Sequence, residues 1–375
     1  MGSTDGADLR DPATIRSRCH LVSDAVNAGL SRHFLPVDWE QLDAVAERVA
    51  ALTRCRFPDL RIPLHSRWRH FDARSVAALD AQLAGRTPAD AARARIDLTV
   101  ISVLLDAGAG AGWRYTTADG RVVARSEGLG AASFEAFVAG RLSATPGDAL
   151  RADGEALARV DATLLREVFQ VHDGNPMVGL EGRTALLARL GRSLGRRRPA
   201  VLYDQVQPGL SAAALLAQML ALTADAFAAP DVWPHPAAGQ VPFHKLSQWL
   251  AYSLVEPLQW AGIEVTGLHQ LTGLPEYRNG GLLLDAGVLR PRDASLFQCV
   301  HQPGDEAIVE WRALTVTLLD ELAPRVRARL GLSEARLPLA AMLEGGTWAA
   351  GREIAAERRL GGAPPLTIAS DGTVF

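Results

Sequence analysis

Apolar residues in this chain of 375 residues recur at intervals of three and four and seldom alternate. Leu42, Val45, Val49 and Leu52 keep that spacing, as does the mostly apolar stripe Ile308, Trp311, Thr315, Leu318, Leu322 and Val326. Spacing of this kind lines up side chains on one face of a helix. The convincing strand pair is Trp113–Thr117 with Arg121–Arg125, flanking Ala118-Asp119-Gly120. Asp-Gly between alternating runs signals a hairpin, because both residues tolerate the turn's positive φ. A parallel sheet needs repeated strand-turn-helix alternation, and no stretch offers it. The expected fold is therefore mainly α and multi-helical, with one small β-hairpin.

Helices are expected over 12–29, from Asp38 to about Arg56, and over 89–105, 131–139 and 152–169. Asp38 is a natural N-cap for the second. Further helices are expected up to Leu194 from a turn at Asn175–Arg183, then over 210–227, 243–256 and 305–330. Pro257 should bend or end one of these, and Pro324 should kink the last. Trp233-Pro234-His235-Pro236 reads as a loop. Pro and Gly between Gly195 and Gly209 mark a boundary between lobes 1–195 and 210–375 of a single compact unit. The Gly-rich loop 106–112 follows a helix and lacks the Lys and Ser/Thr of a phosphate-binding P-loop.

The chain is 48% hydrophobic, enough for a large core, and its net charge is −3. That near-neutral balance argues against general nucleic-acid or membrane-surface binding, which leaves a basic excess. Arg192 and Arg196-Arg197-Arg198 read as a solvated connector. Cys19, Cys55 and Cys299 are far apart and odd in number, poor material for a disulfide framework. The N-terminal residues are polar and acidic, without a charged-then-apolar leader, and Gly6 stands where a myristoylation signal after Gly2 wants Ser or Thr. These features fit cytoplasmic residence. No apolar run approaches a membrane span.

Leu271–Asp293 holds the densest chemistry. Glu276, Tyr277 and Arg278 are consecutive, between Pro275 and Gly280-Gly281, and Leu282-Leu283-Leu284 and Asp285 follow. A carboxylate at the entrance of an apolar segment, beside a guanidinium and a phenol, suits an active-site corner. The alternative is a plain helix start with Arg278 in a surface ion pair. Arg67, Trp68 and Arg69, with His65 and His70, suit an anion or a planar group, since Arg presents a fork of donors. There the alternative is a loop whose aromatics plug the core. Lys245, Gln248 and Tyr252 share one face of a helix.

HSRWRHF at His65–Phe71, NPMVGLEGR at Asn175–Arg183, LPEYRNGGLLLDAGVL at Leu274–Leu289, LEGGTWAAGR at Leu343–Arg352 and SDGTVF at Ser370–Phe375 together resemble one family. It is the fungal and bacterial uracil-catabolism family encoded beside a GTP-cyclohydrolase-II-like enzyme and a uracil phosphoribosyltransferase. The similarity covers nearly the whole chain. It implies a pathway that opens the uracil ring with ribose attached and passes through a ribosylurea-type compound to urea. A more distant resemblance, mainly in the C-terminal half, is to queuosine-nucleotide N-glycosidases. It rests on Phe243, Lys245 and Gln248, and on Glu276-Tyr277-Arg278 before the apolar run. That family implies a helix-hairpin-helix DNA-glycosylase-like fold and a catalytic Asp, where this chain has the longer Glu276.

These resemblances imply an N-glycosidase that hydrolyses a ribosylurea-type nucleotide, without a cofactor or metal. Glu276 is then the carboxylate that stabilises an oxocarbenium-like sugar and activates water. His244 and Asp285 are candidate acids. Tyr277, Arg278, Lys245, Gln248, Arg67 and Arg69 are candidates for holding the sugar or its phosphate, and Trp68 or Trp348 for covering the ligand. One rival is a metal-dependent amidohydrolase acting on the opened ring, gathering several of His65, His70, His172, His235, His244 and His301. The other is a non-catalytic partner of the ring-opening enzyme. The expected partners are a nucleotide-derived small molecule and that enzyme, not nucleic acid or membrane.

Overall fold

The computed structural model describes residues 8–206, 209–370 and Gly372. Gly2 and Gly6 lie outside the described residues, as do Asp371 and residues 373–375 of the terminal SDGTVF. The chain divides into two compact units, each built from separate stretches. The first comprises the described residues of Met1–His65, Asp231–Gln248 and Gly267–Ala369. The second comprises those of Ser66–Pro230, Trp249–Thr266 and Ser370–Phe375. Of the stretch where composition suggested a lobe boundary, the described residues 195–206 and Gly209 lie inside the second unit. Composition reports local backbone preference, whereas units are set by contacts between distant stretches.

In the first unit the Glu306–Leu330 helix is buried along most of its length, including Ile308, Trp311, Leu318 and Leu322 from the expected stripe. The helix runs on through Pro324, whose missing N–H leaves one bond of its ladder unmade. Helices Pro12–Asn27, Trp39–Arg56 and Tyr277–Asp285 pack against it. The first buries Ile15, Cys19, Val22 and Val26, and the second Leu42, Val45 and Val49. Asp38 caps the second, its carboxylate accepting from Gln41 N at 3.2 Å. The Trp348–Arg358 helix lies against Tyr277–Asp285.

In the second unit the Pro88–Leu104 helix is likewise buried on nearly all faces. It packs with Arg125–Val138 and Leu180–Leu194. The expected 152–169 helix is two shorter pieces, Gly154–Leu157 and Ala162–Val168. Asp161 ends that continuity by capping the second piece, accepting from Leu164 N at 2.8 Å. Arg183, from the Asn175–Arg183 turn, is fully buried. Its Nε donates to Leu105 O at 3.1 Å and its Nη1 to Val178 O at 2.6 Å. A guanidinium thus satisfies carbonyls where the Pro88–Leu104 helix ends in the Gly-rich loop.

The fold is mainly helical, with small two-stranded sheets. Tyr115–Thr116 pairs antiparallel with Val122–Val123 around Asp119-Gly120, as expected. The single-hairpin expectation is corrected by a second antiparallel pair, Val232–His235 with Gly239–Pro242. Its prolines argued for a loop, yet each strand of a two-stranded ladder is an edge, where a missing N–H costs nothing. Two further pairs, Leu210–Ser211 with Val265–Thr266 and Val300–His301 with Thr367–Ile368, are parallel. Among the described residues, no helix is long and apolar enough to cross a membrane.

Candidate functional site

Glu276 is the N-cap of the Tyr277–Asp285 helix. One carboxylate oxygen accepts from Arg278 N at 2.7 Å and the other from Asn279 N at 2.6 Å. The first N–H groups of a helix have no partner within it, so a carboxylate there is both satisfied and oriented. The side chain is only partly exposed. Burial pushes its carboxyl above the ordinary value, while the two backbone donors, Lys245 and Arg278 pull it back. A basic carboxylate, fixed before any substrate arrives, suits charge stabilisation.

Its surroundings explain the sequence around it. Gly280 and Gly281 are helical rather than turned, and they are small because neighbours come close. A Cβ on Gly280 would stand 2.6 Å from the Trp311 indole, whose Nε1 donates to Gly280 O at 3.0 Å. Gly351, on the Trp348–Arg358 helix, would place a Cβ 2.2 Å from Arg278 O. Arg278 is buried rather than in a surface ion pair. It stacks over Tyr277 at 4.8 Å and donates from Nη1 to Gly362 O at 3.0 Å. Its buried Nε has no hydrogen-bond partner among the described residues.

Lys245 is buried, and its backbone N donates to Asp231 Oδ2 at 3.1 Å. Asp231 also takes Arg312 in a two-pronged pair at 2.7 and 2.8 Å, and the Trp233 indole N–H at 2.8 Å. Arg312 lies over the Phe243 ring at 4.1 Å. Burial acts to raise the Asp231 carboxyl, but Arg312 and the other donors outweigh it and hold it at about 2. Gln248 is fully buried and works from behind. Its side chain donates to Phe243 O and Thr272 Oγ1 and accepts from Thr272 N, tying the helix to the stretch that leads to Glu276.

Both expected acids have partners within the fold. His244 adopts a left-handed φ of 46° and directs Nε2 to Leu9 O at 2.9 Å, and burial lowers its pKa. Asp285 sits at the far end of the Tyr277–Asp285 helix, about 13 Å along the axis from Glu276 at 1.5 Å per residue. Both its oxygens are taken by the Arg359 guanidinium. The second-unit candidates are also engaged. Arg67 is fully buried, with Nη1 2.9 Å from Asp106 and Nε donating to Ser102 at 2.8 Å. Trp68 plugs the core, donating to Thr99 at 3.0 Å and packing edge-on against Trp260. Arg69 pairs with Glu256 at 2.5 Å.

The sequence placed His65 in the stretch suited to an anion or planar group and among the histidines of a possible metal site, but gave Glu344 no role. His65 Nδ1 lies 2.9 Å from Glu344 Oε2, and both side chains are buried. Arg56 holds the other Glu344 oxygen at 3.2 Å. Glu344 lies in a π-helical turn, Leu343–Thr347, just before Trp348. The Trp348 ring centroid is 6.1 Å from that of His65, and Arg352 lies over it at 4.8 Å. Glu-Gly-Gly inside a helical pattern was the available signal.

Among the described residues, one group could gather on a metal: His235, Glu306 and Glu310, with ligand atoms within 4.8 Å of one another. His235 Nδ1 accepts from Ala237 N at 3.2 Å, which puts the ring proton on Nε2, facing Glu310 Oε1 at 3.5 Å. Ser31 donates to the other Glu310 oxygen at 2.6 Å. In that tautomer Nε2 is a donor, and a metal would have to displace its proton.

The chain belongs to the family described as "Protein of unknown function (DUF1688)", whose model matches residues 8–375. The chain is 37% identical to Protein urg3 of Schizosaccharomyces pombe, over the full length of both chains. It is 34% identical to Uracil catabolism protein 4 of Lachancea kluyveri, over 97% of each.

Proposed function

We propose that this protein acts in uracil catabolism as an N-glycosidase, hydrolysing a ribosylurea-type nucleotide to urea and a ribose phosphate. The name of the Lachancea kluyveri relative supports the pathway. The observation that carries the reaction is Glu276: a partly exposed carboxylate, made more basic by burial and fixed by two backbone donors. Departure of a nitrogen from the anomeric carbon leaves positive charge on the sugar, which a fixed negative charge stabilises. Lys245 and Arg278 lie close enough to act on the Glu276 charge and supply donors for the sugar phosphate. The buried Arg278 Nε is one such donor. Tyr277 and Trp348 would flank the ligand.

The test is urea release from uridine nucleotide incubated with the ring-opening enzyme and this protein. Glu276→Gln keeps volume and removes charge. It should leave folding and substrate binding nearly intact and lower turnover at least about a hundredfold. Glu276→Asp should retain part of the activity. Wild-type urea release by Glu276→Gln would return Glu276 to a purely capping role.

The His235, Glu306 and Glu310 group favours a second reading, a metal-dependent amidohydrolase acting on the opened ring. A stoichiometric transition metal in the purified protein, with activity lost to a chelator, would move the assignment there.

A further inference from the structure

Urea leaves an anomeric carbon poorly unless its nitrogen is protonated, so the proposed reaction needs an acid. Neither His244 nor Asp285 is placed for it, since one is directed to a backbone carbonyl and the other is locked to Arg359. We propose that His65 is the general acid and that Glu344 is its positioning residue, a role that rests on the N-glycosidase reading.

Three observations carry it. First, a carboxylate on one ring nitrogen fixes a histidine's tautomer and orientation, and Glu344 stands 2.9 Å from His65 Nδ1. The Nδ1 proton stays hydrogen-bonded to Glu344, so the proton that the doubly protonated acid form transfers is the one on Nε2. Second, Glu344 is itself held: Arg56 bonds its other oxygen and also donates to Gly345 O at 3.1 Å. It projects from a π turn, a geometry that recurs at functional sites because the extra residue re-aims side chains. Third, the π turn packs directly on the Tyr277–Asp285 helix that Glu276 caps. The helix that follows it approaches closely enough that Gly351 admits no Cβ against Arg278 O. The imidazole and the carboxylate are therefore carried on neighbouring elements of one unit.

In the reaction, the bond from the anomeric carbon to nitrogen breaks and its electron pair stays on nitrogen. That nitrogen takes the proton from His65 Nε2 and leaves as urea. Water adds to the anomeric carbon while Glu276 accepts its proton. Return of that proton through solvent to His65 restores both groups, with the net consumption of one water.

A histidine that merely staples the 62–65 segment to the π turn would also show this geometry, so the test separates acid from staple. Two substrates are compared in the full-length protein: ribosylurea phosphate and para-nitrophenyl ribofuranoside phosphate. Nitrophenolate departs without a proton. His65→Gln should lower urea release about a hundredfold or more, and nitrophenolate release at least about tenfold less severely. Glu344→Gln should lower kcat for urea release with KM nearly unchanged and show the same preference. Glu276→Gln should impair both substrates. Equal losses on both substrates in His65→Gln make the residue structural and overturn its role, as does no loss on either. A wild type that cleaves neither substrate overturns the N-glycosidase reading itself, and this role with it.

Discussion

Asp231 with Arg312 in the first unit and Asp97 with Arg198 in the second are both largely buried pairs, and the two behave in opposite ways. In the first, Asp231 is held down at about 2. In the second, burial pushes Asp97 up to about 6, against the pull of Arg198, Ala152 N and Ala200 N. Geometry accounts for the contrast. Arg312 spreads its fork over both oxygens of Asp231, with two more N–H donors added. Arg198 crowds a single oxygen of Asp97: Nε donates to Oδ2 at 2.8 Å, while Nη2 comes within 2.6 Å without hydrogen-bond geometry. Asp97 is also sealed from solvent, whereas 14% of the Asp231 side chain remains exposed. A buried ion pair therefore takes its character from how donors are distributed, not from which residues meet. The well-matched pair lies beside Lys245 in the unit that carries Glu276, and the other joins helix to loop.

The largest test removes the cation. Arg312→Met should cost about 3–5 kcal/mol, because it strands an ionised, buried carboxylate. Arg198→Met should cost less, about 1–3 kcal/mol, because Asp97 can take a proton near neutrality and keeps two backbone donors. Denaturant unfolding of the full chain measures both, and equal losses would break the comparison.

Acid titration should separate the pairs next. The folded state raises the Asp97 pKa, so its stabilising contribution is complete below the ordinary carboxylate pKa and is lost as pH rises through about 6. For Asp231 the folded state lowers the pKa, so stabilisation is complete above the ordinary value and is lost as pH falls through about 2. The swings are on the order of 3 and 2 kcal/mol respectively, at about 1.4 kcal/mol per pH unit. Carboxyl-carbon NMR should find one midpoint near each value, and Asp97→Asn should flatten the stability profile between the two aspartate states. Two midpoints in the ordinary carboxylate range would remove the contrast.

The finest test removes one donor. Trp233→Phe deletes the indole N–H on Asp231 and should cost about 1–2 kcal/mol. The Asp231 midpoint should rise yet stay below the ordinary range. An unchanged midpoint would mean that Arg312 alone sets it.

Much of the helical framework was legible in the chain. Asp38 caps where its spacing predicted, and the stripe from Ile308 to Val326 is buried as its period requires. The Asp119-Gly120 turn forms with Gly120 at a φ of 84°. Local chemistry governs these features, and a sequence records local chemistry directly. The candidate site was legible only in part. The stretch around Glu276 stood out for its density of charged and special residues, but only the fold showed that its glycines admit close neighbours.

By itself, the sequence determined which segments coil into helices, where several begin, and that Glu276 stands at the head of one. Periodicity, capping and turn preferences act within a few residues, so they can be read in one dimension. Tertiary structure alone decided that Asp231 meets Arg312, that Glu344 meets His65, and that Asp285 is spent on Arg359. Partners so far apart in sequence are chosen by close packing and by the cost of burying an unpaired charge, and neither quantity exists until the chain has folded.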